Sequence, residues 1–380
     1  MAGVVGLSYA ELAAAFPRAG ADYEYTRQAL GLRVSFVVGW LIVIGNLVAA
    51  ATVSLGFGRY LNSFVDITPT AAAVIALVAA TVVAFVGIKQ AVWVSIILTV
   101  VEFAGLVIII VIGMPHIGDV DLLEAQKGAG GVFGGAALVM FAFIGFQQIA
   151  TLAEETVDAP RIIPRAMLIA VGITSVLYVL VAVAAISVLG WEALSVSKAP
   201  LAEVASQTLG DDAEDVIAVI ALFSTANTML LILVAASRMI YGMAGADALP
   251  RFLAWVHPGV RTPARAIVLS LVVSVAFALS GDIGLVAGAT NFAVFIGFAA
   301  VNLSVIVLRY TRPGVARPFT IPLSIGRLPL LPVIALVSVA FLMANLERDA
   351  LLVGAGLFVS GLVAMELLQL WRPEPDSPAS

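Results

Sequence analysis

Ten apolar runs constrain this chain more than any other feature of its sequence. They fall at about 34–61, 69–88, 90–113, 131–157, 164–189, 214–246, 264–281, 283–310, 328–346 and 350–371. A helix that crosses a bilayer needs roughly 20 apolar residues. Inside hydrocarbon every backbone N–H and C=O must be satisfied within its own helix or within a closed barrel. A barrel would show strands of about ten residues alternating between apolar and polar, and nothing here alternates. Polar or Pro/Gly-bearing stretches separate the runs, as at 62–69, 114–130, 191–215 and 312–327. The expected fold class is an all-α polytopic membrane protein.

Composition narrows the function. Of 380 residues, 62% are hydrophobic and only 11% charged, whereas soluble domains carry about a quarter charged residues. A soluble enzyme, a nucleic-acid binder and a disordered chain are excluded together. The net charge of −5 gives no reason to expect a polyanion partner. With Cys 0 there is no disulfide, thiolate nucleophile or thiolate metal site. His116 and His257, the only histidines, lie far apart in loop-like sequence, so no metal or cofactor is expected. No Gly-x-x-x-x-Gly-Lys-Ser/Thr phosphate loop is present, which removes ATP coupling.

Basic residues orient the chain. With the loop after Pro17 set on the cytoplasmic side and sides alternating across the runs, that side holds Arg18, Arg27, Arg33, Lys89, Arg161, Arg165, Arg238, Arg251, Arg261, Arg265, Arg309, Arg312, Arg317, Arg327 and Arg372. The outer side holds Arg59, Lys127, Lys198 and Arg348, which makes fifteen against four. That asymmetry matches the positive-inside tendency of membrane proteins.

Polar groups placed in hydrocarbon are costly, and each is a functional candidate. Glu102 lies near the middle of the 90–113 run, and Ser95, Thr99 and Gly105 share its helical face. Buried without a cation, its carboxyl would be a proton carrier; the alternative is a structural carboxyl hydrogen-bonded to a neighbouring helix. The 131–157 run contains Phe141-Ala142-Phe143-Ile144-Gly145-Phe146, followed by Gln147-Gln148 and a charged stretch still at membrane depth. A helix broken there would free backbone groups, which is tolerated only around a cavity. Freed carbonyls can hold an ammonium, and Phe141 or Phe143 can close over it; a tight helix crossing packed by aromatics reads equally from these residues. Ser224, Thr225, Asn227 and Thr228 form a polar patch in the 214–246 run, and Asn291 stands alone in the next-but-one. Both fit interhelical hydrogen bonding. Glu366 fits a snorkelling or packing role.

Several stretches taken together resemble the amino acid–polyamine–organocation (APC) superfamily. They are Tyr9-Ala10-Glu11-Leu12 with Phe16-Pro17-Arg18-Ala19-Gly20 and Tyr23-Glu24-Tyr25; Gly39-Trp40; Phe143 to Phe146 through Ala153-Glu154-Glu155 to Pro160-Arg161-Ile162-Ile163-Pro164-Arg165-Ala166; Ser237-Arg238-Met239 with Leu249-Pro250; and Asn302 to Leu308-Arg309-Tyr310. They occur in family order along the whole chain. The resemblance implies two inverted five-helix repeats, of which 1–113 is an incomplete first and 131–310 the second, then two C-terminal helices at 328–371 and a cytoplasmic tail at 372–380. It also implies alternating access around an amino acid bound at a broken helix. From the residues themselves, Phe141, Phe143, Ile144, Gly145, Gln147 and Asn227 are the substrate-binding candidates and Glu102 is the candidate for proton coupling. Many members have an acidic residue where Gln147 stands, and several have a sodium-replacing lysine where Glu102 stands. Met1 matches a point midway through the family's second helix, so an upstream first helix with its Gly-rich break is expected.

The expected function is secondary amino acid transport coupled to protons, in the cell membrane. Expected partners are an amino acid substrate, the lipid bilayer and protons, with no nucleic acid. The alternative is a truncated, non-transporting membrane protein that acts as a binding partner.

Overall fold

A computed structural model of the protein describes residues 1–18, 20–62, 64–122, 124, 128–197, 199–210, 212–279 and 284–370; of these, the side chains of 137, 138, 141, 284–289, 369 and 370 are not described. The chain is almost wholly helical. Its helices are α1 (Ala2–Ala15), α2 (Ala21–Leu30), α3 (Leu32–Asn62), α4 (Pro69–Val86), α5 (Ile88–Gly113), α6 (Gly128–Val139), α7 (Ala159–Val196), α8 (Pro200–Leu209), α9 (Asp212–Gly245), α10 (Ala264–Ala278), α11 (Gly284–Thr311), α12 (Leu330–Ala344) and α13 (Arg348–Leu370). A two-residue hairpin, β1 (Ser324–Ile325) against β2 (Leu328–Pro329), precedes α12.

Local chemistry sets the boundaries. Thr68 caps α4 by accepting the Ala71 N–H at 3.3 Å, and Pro69 occupies the first turn, where its missing N–H costs nothing. Pro160 and Pro200 do the same for α7 and α8. Seven helices among the described residues are long and apolar enough to cross a membrane. Helices α10 and α12, at 15 residues each, are shorter than the runs expected at 264–281 and 328–346. Helix α7 runs past the expected end at 189 to Val196, kinking at Gly190 with φ 74°.

Burial sorts the helices. In α3, 78% of the most apolar stretch is buried, against 17% in α5 and in α7. Accordingly α3 runs through the middle, packed on α4, α9, α10, α11 and α13. Helix α5 instead presents Ile96, Ile97, Val100, Phe103 and Val111 outward, which suits a lipid-facing surface. Small residues let helices approach closely, as in soluble and membrane bundles alike. At Gly113 an added Cβ would lie 2.5 Å from the Ala184 Cβ, so α5 meets α7 almost backbone to backbone.

The arginine-rich end of the bundle is tied by ion pairs, the Glu11 cluster buried and the Arg238–Glu155 pair exposed on its carboxylate side. Glu11 of α1 is 1% exposed and receives Arg309 of α11 at 3.0 and 2.6 Å, with Arg317 at 3.5 Å. The Ile321 N–H completes its shell at 2.8 Å. Arg238 of α9 reaches Glu155 at 2.8 Å.

Candidate functional site

Regular helix stops at Val139. Residues Met140–Phe143 form a short 3₁₀ turn, Gly145 adopts φ 133° and ψ −32°, and Phe146–Glu155 continue as 3₁₀ helix. Only glycine enters that backbone region without strain. Ten residues of 3₁₀ geometry are unusual, since its hydrogen bonds are poorer and such runs normally stop after three or four residues. The chain departs from α-helix here because Gly145 interrupts it between aromatics and because Gln147 competes for backbone donors. The Gln147 Oε1 accepts the Gly145 N–H at 3.0 Å.

Beside the break lies a cavity of about 400 Å³, within the usual range for small-ligand sites. Its walls come from α3 (Asn46, Ala49, Val53), the broken segment (Ala142, Ile144, Gly145, Gln148, Ile149, Thr151, Leu152), α7 (Tyr178), α9 (Thr228, Leu231, Ile232, Val234, Ala235) and α11 (Thr290). Among the described residues no lining side chain carries a charge. Gln148 Nε2 donates to Asn46 Oδ1 at 3.1 Å, while the Asn46 Nδ2 is buried and has no partner among the described residues. Tyr178 donates its hydroxyl to the Ala142 carbonyl at 3.0 Å, bracing the break from α7. The arrangement offers apolar walls, neutral amides and hydroxyls, and one unspent donor.

The sequence candidates divide between two places. Ile144 and Gly145 line the cavity. Phe143 stands next to it, edge-on to Tyr178 with ring centres 5.3 Å apart. Gln147 is buried but turns back onto Gly145, leaving its Nε2 without a partner among the described residues. The Phe141 side chain is outside the described residues. Asn227 and Glu102 lie elsewhere, at the α5–α9 seam: Asn227 donates to Thr99 at 2.9 Å, and Glu102 accepts from Ser224 at 2.9 Å. Glu102 lines a separate cavity of about 180 Å³ with Tyr60, Leu201 and Ile220 among its walls. Sequence reading missed Asn46, Tyr178 and Thr290. Asn46 had a signal, being a lone amide within a long apolar run, while Tyr178 and Thr290 had none.

A polytopic helical membrane protein with a neutral, ligand-sized cavity at a broken helix defines the transporter class. The chain belongs to the amino acid permease family, whose model matches residues 1–363. An uncharacterised transporter of Mycobacterium tuberculosis is 32% identical over 362 residues, covering 94% of this chain and 79% of the relative. A branched-chain amino acid permease of Bacillus subtilis is 26% identical, covering 90% and 77%. The human cystine/glutamate transporter is 29% identical, covering 97% and 76%. The protein is thus a transporter, and a multi-pass protein of the cell membrane.

Proposed function

We propose that this chain moves an amino acid with a neutral, apolar side chain across the membrane by alternating access, coupled to protons. The observation that carries the reading is the uncharged cavity beside the Gly145 break. A bound zwitterion brings its own ammonium and carboxylate, which backbone dipoles at the break and the Asn46 amide can meet. Its side chain would face Val53, Ile144, Ile149, Leu231, Ile232 and Val234. A charged side chain would find no opposite charge there and would be held only at a desolvation cost. The relative that carries branched-chain amino acids fits this wall better than the one that carries cystine and glutamate. Binding of labelled leucine to the purified protein, competed by other amino acids, tests it. Isoleucine and valine should compete at similar concentrations, and glutamate and arginine should not; equal competition by glutamate overturns the side-chain assignment.

Proton coupling is assigned to Glu102. No basic side chain pairs with it among the described residues, so its charge is met only by the Ser224 hydroxyl. Glu102→Gln should keep exchange of internal for external substrate but lose accumulation driven by a pH gradient. A variant that still concentrates substrate returns Glu102 to a structural role. Residues 1–113 and 131–310 are read as inversely related units, with 328–371 as two added helices; the family resemblance supports this division. Phe143, Gln147, Asn227 and Phe141 are assigned to shaping the substrate site and its supports.

A further inference from the structure

A second carboxyl, outside the cavity and outside the spans, is buried more completely than Glu102. Asp22 sits in the first turn of α2, the amphipathic helix that follows Pro17, and is 1% exposed. Charged residues in such a loop usually reach water, and its neighbour Glu24 does find Arg18, Arg27 and Gln28. Asp22 finds no cation among the described residues. Its Oδ1 accepts the Tyr9 hydroxyl from α1, and its own backbone N–H helps hold the carboxyl. From α11, an added Cβ on Gly297 would come within 3.4 Å of Oδ1, so backbone closes over the group.

Other titratable groups around Asp22 are few. Helix α1 supplies Tyr9, and α2 itself supplies Glu24 and Tyr25. Residues 34–58 of α3 and 292–308 of α11 contain no ionisable side chain. Glu11 is occupied by Arg309 and Arg317, and Glu155 by Arg238. Burial is the largest influence and pushes the Asp22 carboxyl from 3.8 up to about 6, against the smaller pull of the Tyr9 hydrogen bond.

Tyr9 connects this carboxyl to the break. Its ring stands edge-on to Phe146, the residue after Gly145, with centres 5.9 Å apart, and edge-on to Phe298 at 6.0 Å. Phe146 in turn stacks on Phe298 at 5.8 Å. One hydroxyl therefore links a carboxyl near the bundle end to the aromatic that follows the broken helix.

We propose that Asp22 is a proton-binding site on the cytoplasmic side, and that its charge state, passed through Tyr9 to Phe146, sets how readily the broken segment moves. This rests on the transport reading above but not on the role given to Glu102. The proton adds to a carboxylate oxygen and no other bond changes. Neutral Asp22 keeps α1, α2 and α11 packed. Ionised Asp22 is a buried charge without a counter-ion, relieved when α2 lets water reach it, and that movement draws Tyr9 away from Phe146.

Two measurements on the full chain test this. The first is thermal unfolding of purified wild-type protein and Asp22→Asn from pH 4.5 to 7.5. Because the folded carboxyl binds its proton more tightly than the unfolded one, wild-type stability should fall as pH rises from about 4 to about 6. The variant cannot ionise, so its advantage should grow over that window and then level off. Parallel curves overturn the site, whether or not the chain transports.

The second is amino acid exchange in inside-out vesicles, whose bath is the cytoplasmic face. Wild-type exchange should slow by about tenfold per pH unit below the midpoint, as one titrating proton dictates. Asp22→Asn should be slow and flat across the range. Tyr9→Phe keeps the ring but removes the hydrogen bond that favours the ionised form, so its midpoint should move to higher pH. A titrating Asp22 with exchange indifferent to bath pH overturns the transmission to Phe146 while leaving the transport reading standing. Vesicles that exchange no amino acid at all overturn the transport reading instead, with the unfolding curves still deciding Asp22 as a proton site.

Discussion

The cavity at the break and the arginine-rich end of the bundle treat their polar groups in opposite ways. At the end, Glu11 has two guanidinium groups and a backbone N–H, and Arg238 has Glu155. Around the break and on the helices that flank it, Asn46 Nδ2, Gln147 Nε2, Asn227 Oδ1 and Asn291 Oδ1 are buried without partners among the described residues. A buried polar group left unpaired costs about 1–3 kcal/mol. A fold that gives Glu11 and Arg238 their counter-ions in one region and leaves its amides short in another is holding itself together through the first pairs and keeping room for a ligand in the second.

The largest effect should come from spoiling the saturated region. Glu11→Gln leaves two buried guanidinium groups without their carboxylate and should cost about 3–5 kcal/mol. Thermal unfolding in detergent reads this directly, and a variant as stable as wild type would erase the contrast. Next, Asn46→Leu removes an unspent donor in the cavity and should leave folding intact. Its expected cost is about tenfold in substrate affinity, equivalent to roughly 1.4 kcal/mol for one lost hydrogen bond. A large fall in stability instead would show that Asn46 belongs with the structural groups. The smallest effect is expected at Arg251, whose pair with Asp247 is exposed on both sides. Such surface pairs contribute little, so Arg251→Ala should be indistinguishable from wild type in both unfolding and exchange.

The fold was legible because hydrocarbon leaves the backbone so few options. Every expected run overlaps a helix, and the differences have local causes: the Gly190 kink lets α7 continue past 189, and Gly145 divides the 131–157 run. Ile144 and Gly145, which line the cavity, were only half legible, because a glycine among aromatics at membrane depth fits a tight helix crossing as well as a broken helix. Asn46 was within reach of the same argument that singled out Glu102. Tyr178 was not, because its importance depends on α7 lying against the Ala142 carbonyl, a matter of packing. Asp22 was the least legible. Within Asp22-Tyr23-Glu24 it reads as a solvated loop charge, and only the docking of α2 beneath α11 buries it.

Helix α12 carries a consequence for the bilayer itself. Its 15 residues rise about 22 Å, well short of a hydrocarbon core of about 30 Å. Ile334 and Val337 are exposed along it, while Phe341 packs edge-on against Phe133 of α6 with ring centres 5.0 Å apart, so the Ile334–Val337 side is the part that suits lipid. A helix this short is met by local thinning of the bilayer, by snorkelling of flanking residues or by association, each at a fraction of a kcal/mol per ångström of mismatch. Membrane thickness becomes a variable to which this edge of the protein is tuned, and shorter-chain phospholipids should gather around it.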